Sequence, residues 1–477
     1  MENDNIKHNA IFNVARSLFG ILYPIITFPY ATRILLAEGL GKVEFSNSIV
    51  QYFLMFAGLG ISSYGAREVA RVKDNTDELS KVIQELFFIN LISMIVSYLI
   101  FFIVIFCVPN VVIYRKILIV SSSRILLTTI GMSWVYVGLE KYKIIAIRSM
   151  IFQVLGILFL FIFVKDAEDF IWYAIVCVVS TTGADLWNFI SIRKYICIKK
   201  VKIHPLHHIK PIMFFWGMVV AALIYTSLDT TMLGFFTNDE TVGLYTAANK
   251  MNRLVLTMIT AAIGVLLPRI VNMLQHGFKE QSTLLIQRSI NFIILLAVPS
   301  SIGLFIVADA VIHVFCGASY NGAINGMRIL TPVIFVMSIA SVLDNVYLIP
   351  YRKEKYIMIS QIIGAVVNFT LNLLLIPRFA LLGAIYATLI AESCVTLFQV
   401  YVSRKILLSR SVLITFVHSL LGGVIMFWVI YFLRRLILND IIFLPFSIVL
   451  GAFIYLFVLF LVREPLVRMF FNRCRQF

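Results

Sequence analysis

Long apolar stretches separated by short polar segments recur from one end of the chain to the other. Each stretch has about the 20 residues that a helix needs to cross the hydrocarbon core of a bilayer. The pattern predicts about fourteen membrane-spanning helices, at residues 11–36, 43–65, 83–107, 117–139, 145–164, 170–192, 211–236, 242–265, 289–315, 326–350, 357–376, 382–402, 412–433 and 442–462. We therefore predict an all-α polytopic membrane protein.

The most unusual polar positions lie between Leu228 and Arg253, in the seventh and eighth predicted spans. Asp229 falls within the seventh span, whereas Asn249, Lys250 and Arg253 fall within the eighth. An ionisable side chain at membrane depth costs roughly 2.5–3.5 kcal/mol on insertion scales, so it normally faces a partner or a watery cavity. The pattern therefore indicates a transport pathway.

Other polar residues within the spans share helix faces, because positions three or four apart lie on one side of a helix. Asn13 and Arg16 form such a row in the first span, which Pro24 and Pro29 are expected to kink, and Arg124 lies in the fourth. Two interpretations stay open: a structural network of ion pairs, or the cationic wall of a hydrated cavity for an anionic cargo. The second assigns substrate binding to Arg16, Arg124, Lys250 and Arg253. The supporting or coupling candidates are Asn13, Asp185, Asp229, Asn249, Asp344 and Glu392.

Composition agrees with a membrane protein and argues against a nucleic-acid partner. Of the 477 residues, 61% are hydrophobic and only 13% are charged, whereas soluble domains carry about 25% charged residues. The formal net charge of +16 is not gathered into one patch, because the basic residues concentrate in alternate connections, most densely at 193–210. This positive-inside asymmetry predicts that both termini lie in the cytoplasm.

Motifs for catalysis and nucleotide hydrolysis are absent from the sequence. No GxxxxGK[ST], HExxH or GxSxG pattern occurs. The six cysteines share no ligand-like spacing, so we interpret them as apolar fillers. His204, His207 and His208 cluster in the connection 193–210, where a metal site is one interpretation and a solvated interfacial loop is the favoured one. We expect no enzyme activity, no cofactor and no metal.

The strongly basic connection at 193–210 also suggests how the chain is organised. It follows six predicted spans and precedes six more, so the two sets would be parallel repeats. A faint internal similarity supports this, since EGLGKVEFSNS near the second span resembles ETVGLYTAANK near the eighth. The predicted architecture is two six-helix lobes around a central cavity, at 1–200 and 201–405, with two accessory helices and a basic cytoplasmic tail at 406–477.

Several stretches together resemble the Wzx-type polysaccharide repeat-unit flippases of the multidrug/oligosaccharidyl-lipid/polysaccharide exporter superfamily. They run in the expected order and include FPYATRILLAEGLGKVEFSNSI at 28–49, GISSYGAREVAR at 60–71, VGLEKYK at 137–143, LDTTMLG at 228–234, VGLYTAANKM at 242–251, LLPRI at 266–270, VPSSIGL at 298–304, FCGASY at 315–320 and NFTLNLLLIPRFALLGAIYATLIAE at 368–392. One departure is EGLGKVEF, which lacks the commoner aromatic residue soon after the glycine.

The resemblance implies fourteen helices that work by alternating access in the bacterial cytoplasmic membrane. It implies an undecaprenyl-diphosphate-linked oligosaccharide as cargo, with polysaccharide polymerase and other envelope-assembly proteins as further partners besides the lipid bilayer. Cavity cations of the family bind anionic sugars or the diphosphate, and the candidates here are Arg16, Arg124, Lys250 and Arg253. Arg124 matches no family motif, so its assignment rests on helix geometry.

Three other functions stay open at this point. A cation-coupled drug exporter of the same superfamily should present carboxylates and aromatic residues to its substrates, whereas the excess charge here is basic. A membrane polysaccharide polymerase or ligase should carry a long outer loop, and the predicted outer connections are all short. The third alternative is a scaffold within an envelope-synthesis complex.

Overall fold

The computed structural model describes residues 2–195, 204–261, 263, 266–276, 278–407 and 409–468. Within these ranges the regular secondary structure is helical, without strands. The α-helices are α1 (Glu2–Gly58), α2 (Ile61–Val72), α3 (Thr76–Cys107), α4 (Pro109–Val112), α5 (Arg115–Gly131), α6 (Ser133–Gly138), α7 (Tyr142–Phe163), α8 (Phe170–Ile192), α9 (Leu206–Phe236), α10 (Asp239–Ala261), α11 (Leu266–Gln275), α12 (Lys279–Ile306), α13 (Ala308–Phe315), α14 (Ala323–Leu343), α15 (Glu354–Phe379), α16 (Leu381–Leu407), α17 (Arg410–Leu436) and α18 (Asp440–Leu461).

The surface of the long helices is suited to lipid. Ten helical segments in the described part of the chain are long and apolar enough to cross a membrane. On α3, Leu99 and Ile103 are each 61% exposed, while Asn90 and Ser97 face inward. The Asn90 amide donates to the carbonyl of Ala57 over 2.6 Å, and the Ser97 hydroxyl donates to a second carbonyl of α1. Polar groups therefore join the helices, while leucine and isoleucine face the bilayer. The protein spans the membrane repeatedly.

Several predicted spans are interrupted by residues with non-helical backbone. The first two spans form the single element α1, which breaks at Leu36, where φ is 58° and ψ is −176°. Pro24 and Pro29 instead lie within helical backbone. Met132 adopts a left-handed conformation between α5 and α6, so the predicted span 117–139 consists of two helices. These breaks occur at non-glycine residues, which carry no turn signal in the sequence.

The chain forms two compact units, Met1–Gly243 and Leu244–Phe477. In the first unit, the beginning of α9 packs with α2, α3 and α6 around buried side chains that include Ile61, Trp134 and Ile212. In the second unit, α17 and α18 pack against α12, where the Tyr455 hydroxyl donates to the Leu295 carbonyl over 2.9 Å. The unit boundary lies beyond the basic connection at 193–210, and the predicted lobes stay a prediction.

Two glycines of the first unit allow α1 and the beginning of α10 to pack with their backbones in contact. A Cβ atom on Gly41 would lie 1.8 Å from the carbonyl oxygen of Asp239, and one on Gly243 would lie 1.9 Å from that of Ala37. These glycines belong to the two similar stretches, EGLGK and ETVGL. Nearby, the Tyr114 hydroxyl donates to Asp239 over 2.6 Å. Burial raises the pKa of the Asp239 carboxyl, and this hydrogen bond opposes the shift.

Candidate functional site

A polar network in the first unit contains Asp185 of α8. Asn188, one turn later, donates to Asp185 over 3.3 Å and accepts a 2.7 Å hydrogen bond from Arg148 of α7. The Arg148 guanidinium also lies 5.4 Å from the ring centres of Tyr136 and Trp187. Asp185 packs directly on Gly131, where an added Cβ atom would lie 2.3 Å away. These contacts form a hydrogen-bonded network between α7 and α8, and the role of Asp185 in transport stays a prediction.

The predicted cations Arg16 and Arg124 both lie near carboxylates of the first unit. Arg16 is exposed and interacts electrostatically with Asp185. Arg124 is half-buried and interacts electrostatically with Glu44 of α1. The Nε atom of Arg124 is buried and has no hydrogen-bond partner among the described residues. A guanidinium with a buried, unused donor can bind an additional anionic oxygen.

Asp229 lies in a different part of the first unit. Its side chain is buried within α9 and interacts electrostatically with Tyr52 of α1. Two residues later, the Thr231 hydroxyl donates to the Ser48 hydroxyl over 2.9 Å and to the Ser227 carbonyl over 3.0 Å. These contacts attach α9 to α1 through polar groups. The structure thus supports the structural interpretation of Asp229 at least as well as a role in coupling.

Arg253 and Asn249 line a pocket in the second unit. The pocket combines residues of α10, α14 and α16, and its cavity volume of about 10 Å³ is enough for about one water molecule. Besides these two residues, its lining comprises Asn252, Leu256, Leu330, Val333, Ile334, Met337 and Thr388. The wall therefore joins one guanidinium, two amides and a hydroxyl to an otherwise apolar surface. Such a wall can bind an anionic or polyhydroxylated group.

Asn252 is the most deeply buried polar residue of this pocket. Its amide nitrogen donates to the carbonyls of Ala248, over 2.9 Å, and Met327, over 3.4 Å. Its Oδ1 atom is buried without a hydrogen-bond partner among the described residues. The bonds to α10 and α14 hold the amide in place, and the unused acceptor is available to a donor in the pocket, such as a sugar hydroxyl.

The other predicted residues of the second unit lie apart from this pocket. Lys250 is half-buried on α10 but is not among the residues of the pocket wall. Asp344 begins a π-helical turn, Asp344–Leu348, and its Oδ1 atom is buried without a hydrogen bond in the part of the chain that the structure describes. Glu392 is buried in α16. The side chain of Asn13 lies outside the described residues.

Sequence reasoning missed four residues that the structure connects to the candidates: Glu44, Arg148, Asn188 and Asn252. Asn252 precedes Arg253 and lies three residues after Asn249, so helical spacing could have found it. Arg148 lies near the beginning of the predicted span 145–164, and its contact with Asn188 joins α7 to α8. That contact depends on helix packing, which the sequence pattern does not specify.

Comparison with known proteins gives these residues a context. The protein family described as "Polysaccharide biosynthesis protein" matches residues 6–274, more than half of the chain. The chain belongs to this family. The resemblance found in the sequence motifs is thereby confirmed at the level of the family.

Two curated relatives of this family member match along most of their length, and a third matches along half. A protein of Escherichia coli (strain K12) named "Putative O-antigen transporter" is 22% identical over 82% of this chain and 95% of its own. A protein of the same name from Shigella dysenteriae is 24% identical over 79% of this chain and 95% of its own. A third relative, from Haloferax volcanii, is named "Probable low-salt glycan biosynthesis flippase Agl15" and is 23% identical over half of each chain.

Solved structures establish the fold of this family member. The lipid II flippase MurJ in an inward closed conformation matches with a TM-score of 0.77, covering 96% of this chain and all of MurJ at 16% identity. An inward-facing multidrug resistance MATE family transporter of the MOP superfamily matches with a TM-score of 0.58, covering 81% of this chain and 94% of its own at 14% identity. The predicted fold class, an all-α polytopic membrane protein of about fourteen helices, is confirmed.

Proposed function

We propose that this protein moves undecaprenyl-diphosphate-linked oligosaccharides across the bacterial cytoplasmic membrane for the synthesis of O-antigen, capsule or exopolysaccharide. Support comes from the O-antigen transporter names of relatives that match most of the chain, and from a fold similar to that of a lipid II flippase. The relatives are named as transporters and flippases, which agrees with the prediction that the chain is not an enzyme. The polymerase or ligase alternative is therefore disfavoured.

The observation that carries the proposal is the pocket around Arg253, which joins a guanidinium to the amides of Asn249 and Asn252. A guanidinium presents a planar fork of donors that fits phosphate or carboxylate oxygens, while amides can bind sugar hydroxyls. Each charge-assisted hydrogen bond contributes about 1.5–3 kcal/mol. A few such bonds orient a cargo and still let it dissociate. Arg124, with its unused Nε donor, offers similar chemistry in the first unit.

The remaining candidates are given roles within the same proposal. Arg16 and Lys250 supply positive charge along the pathway. The lobes proposed at 1–200 and 201–405 alternate in access, and the segment 406–477 is accessory. Asp344 is the favoured coupling carboxylate, because its buried Oδ1 atom has no hydrogen bond among the described residues and adjoins a π-helical turn. Such turns are frequent at functional sites.

Transbilayer movement of a defined glycolipid tests the proposal. The full chain would be reconstituted into liposomes with undecaprenyl diphosphate carrying a fluorescent trisaccharide, and a membrane-impermeant quencher would report movement between leaflets. We expect at least about tenfold faster movement than in empty liposomes, equivalent to about 1.4 kcal/mol of barrier lowering. Ethidium is the comparison substrate. Ion-driven ethidium transport without glycolipid movement would instead identify a drug exporter.

Cysteine labelling tests the proposed orientation. In a cysteine-free background, Glu240→Cys and Ser319→Cys should react with an impermeant maleimide in intact cells, because both positions are exposed in connections assigned to the outside. Lys141→Cys, at an exposed position assigned to the cytoplasm, should react only after permeabilisation. Labelling of Lys141→Cys in intact cells would contradict cytoplasmic termini.

A further inference from the structure

Three potential metal-ligating side chains converge in the first unit, where the beginning of α9 meets α3. Glu85 of α3 and His208 of α9 are buried, and His207 is exposed beside them. The His208 Nε2 atom lies 3.1 Å from the Glu85 Oε2 atom. One ligand atom from each of the three residues lies within 4.8 Å of the other two.

Hydrogen bonds on the outer side of this cluster orient its members. The Nδ1 atom of His207 lies 2.5 Å from the carbonyl oxygen of His204, and the Nδ1 atom of His208 lies 2.7 Å from the Tyr64 hydroxyl. The Oε1 atom of Glu85 accepts from the backbone N–H of His204 over 2.8 Å. Metal-binding histidines commonly use the second ring nitrogen in this way, to fix the tautomer and the ring orientation.

We propose that Glu85, His207 and His208 bind a divalent transition-metal ion, with Zn²⁺ as the best fit. Zinc accepts imidazole nitrogen at about 2.0–2.1 Å and carboxylate oxygen at about 2.0–2.2 Å, in tetrahedral geometry. Two such ligands lie about 3.4 Å apart, close to the 3.1 Å between His208 and Glu85. The ligands would be His207 Nε2, His208 Nε2 and Glu85 Oε2, with water as the fourth.

The Tyr64 hydroxyl allows His208 to be fully hydrogen-bonded in the metal-free state as well. Without metal, His208 can donate from Nε2 to Glu85 and accept from Tyr64 at Nδ1. With metal on Nε2, the proton moves to Nδ1 and Tyr64 becomes the acceptor, because a hydroxyl group can serve either way. Both ring nitrogens of His208 therefore have a partner with metal and without it.

A metal at this position would attach the beginning of α9 to α3. Tyr64, Ile212 and Phe215 already pack in the hydrophobic cluster beside the ligands, so the ion would add a cross-link between two elements in contact. Glu68, which also interacts electrostatically with His208, forms ion pairs with Arg71 over 2.8 Å and with Arg67 over 3.4 Å. The proposed role is structural, and it stands independently of the transported cargo.

Metal titration of the purified full chain tests this site. After chelator treatment, the protein in detergent would be titrated with Co²⁺, followed by visible absorption, and with Zn²⁺ against a chromophoric competitor. We expect one ion per chain and at least about 100-fold weaker binding for His207→Ala. His207 is exposed, so this variant should fold. His276→Ala is the matched control, because His276 is also exposed and bonds a backbone carbonyl through Nδ1 over 2.9 Å.

A second variant separates binding from folding. Tyr64→Phe removes only the outer hydroxyl and should weaken Zn²⁺ binding about tenfold, as loss of an outer hydrogen bond does at known metal sites. The thermal midpoint of the wild-type protein should rise with Zn²⁺, and that of His207→Ala should not. Failure of the wild-type protein to bind one ion per chain, or equal affinity in wild type and His207→Ala, would overturn the proposal.

Discussion

Arg253→Ala is expected to slow glycolipid movement by about 10- to 100-fold, the equivalent of losing one charge-assisted hydrogen bond of about 1.5–3 kcal/mol. The guanidinium lines a pocket with Asn249 and Asn252, and the proposal assigns it a direct contact with the cargo. Arg253→Lys should be milder, because it keeps the positive charge and loses the planar fork. The measurement is the liposome assay, supported by the surface polysaccharide of a deletion strain that expresses each variant.

The matched control for this effect is Arg435→Ala. Arg435 lies 5.2 Å from the ring centre of Tyr431 and is exposed at the end of α17, outside the pocket. Its removal should leave movement and membrane abundance unchanged. If Arg253→Ala retains full activity at normal abundance, the proposed use of this pocket is wrong.

Gly243→Ala is expected to reduce the amount of folded protein severely. The new Cβ atom would lie 1.9 Å from the Ala37 carbonyl oxygen, and backbone atoms on both sides must move to relieve that overlap. The Cβ atom of Gly41→Ala would lie 1.8 Å from the Asp239 carbonyl oxygen, so this variant should also reduce the amount of folded protein. Overpacking against backbone costs about 1–3 kcal/mol and often more, so both variants should show lower thermal midpoints and lower membrane abundance.

Gly20→Ala is the control for this pair. Gly20 also lies in α1, but no heavy atom outside its own helix lies within 4 Å of its Cβ position. Alanine is a better helix former than glycine by up to about 1 kcal/mol, so this variant should be neutral or slightly stabilising. Equal thermal midpoints for Gly243→Ala and Gly20→Ala would show that the close helix packing is absent in the membrane.

The sequence predicted the fold class well because membrane-spanning helices leave a strong apolar signal. It also found Arg253 and Asn249, since helical spacing alone puts them on one face of α10. Lys250 was predicted to bind substrate as well, but it is turned by about 100° from Asn249 on the helix and is not in the pocket wall. The pocket wall accordingly includes Asn252 and Leu256 instead.

The sequence pattern could not predict contacts between segments that are distant in the chain. His207 and His208 are visible as a cluster in the sequence, but Glu85 belongs to another helix, and only packing brings it to His208. The breaks at Leu36 and Met132 were also missed, because leucine and methionine give no indication of positive φ. Such positions are determined by tertiary packing rather than by local preference.

The break at Leu36 also bears on how the chain enters the membrane. A straight helix with the 57 residues of α1 would be about 85 Å long, nearly three times the hydrocarbon thickness of about 30 Å. The break at Leu36 therefore divides α1 into two segments short enough for one crossing each. Because the first helix usually dominates the orientation of a membrane protein, we expect charge changes within the first 60 or so residues to affect the sidedness of the later crossings most strongly.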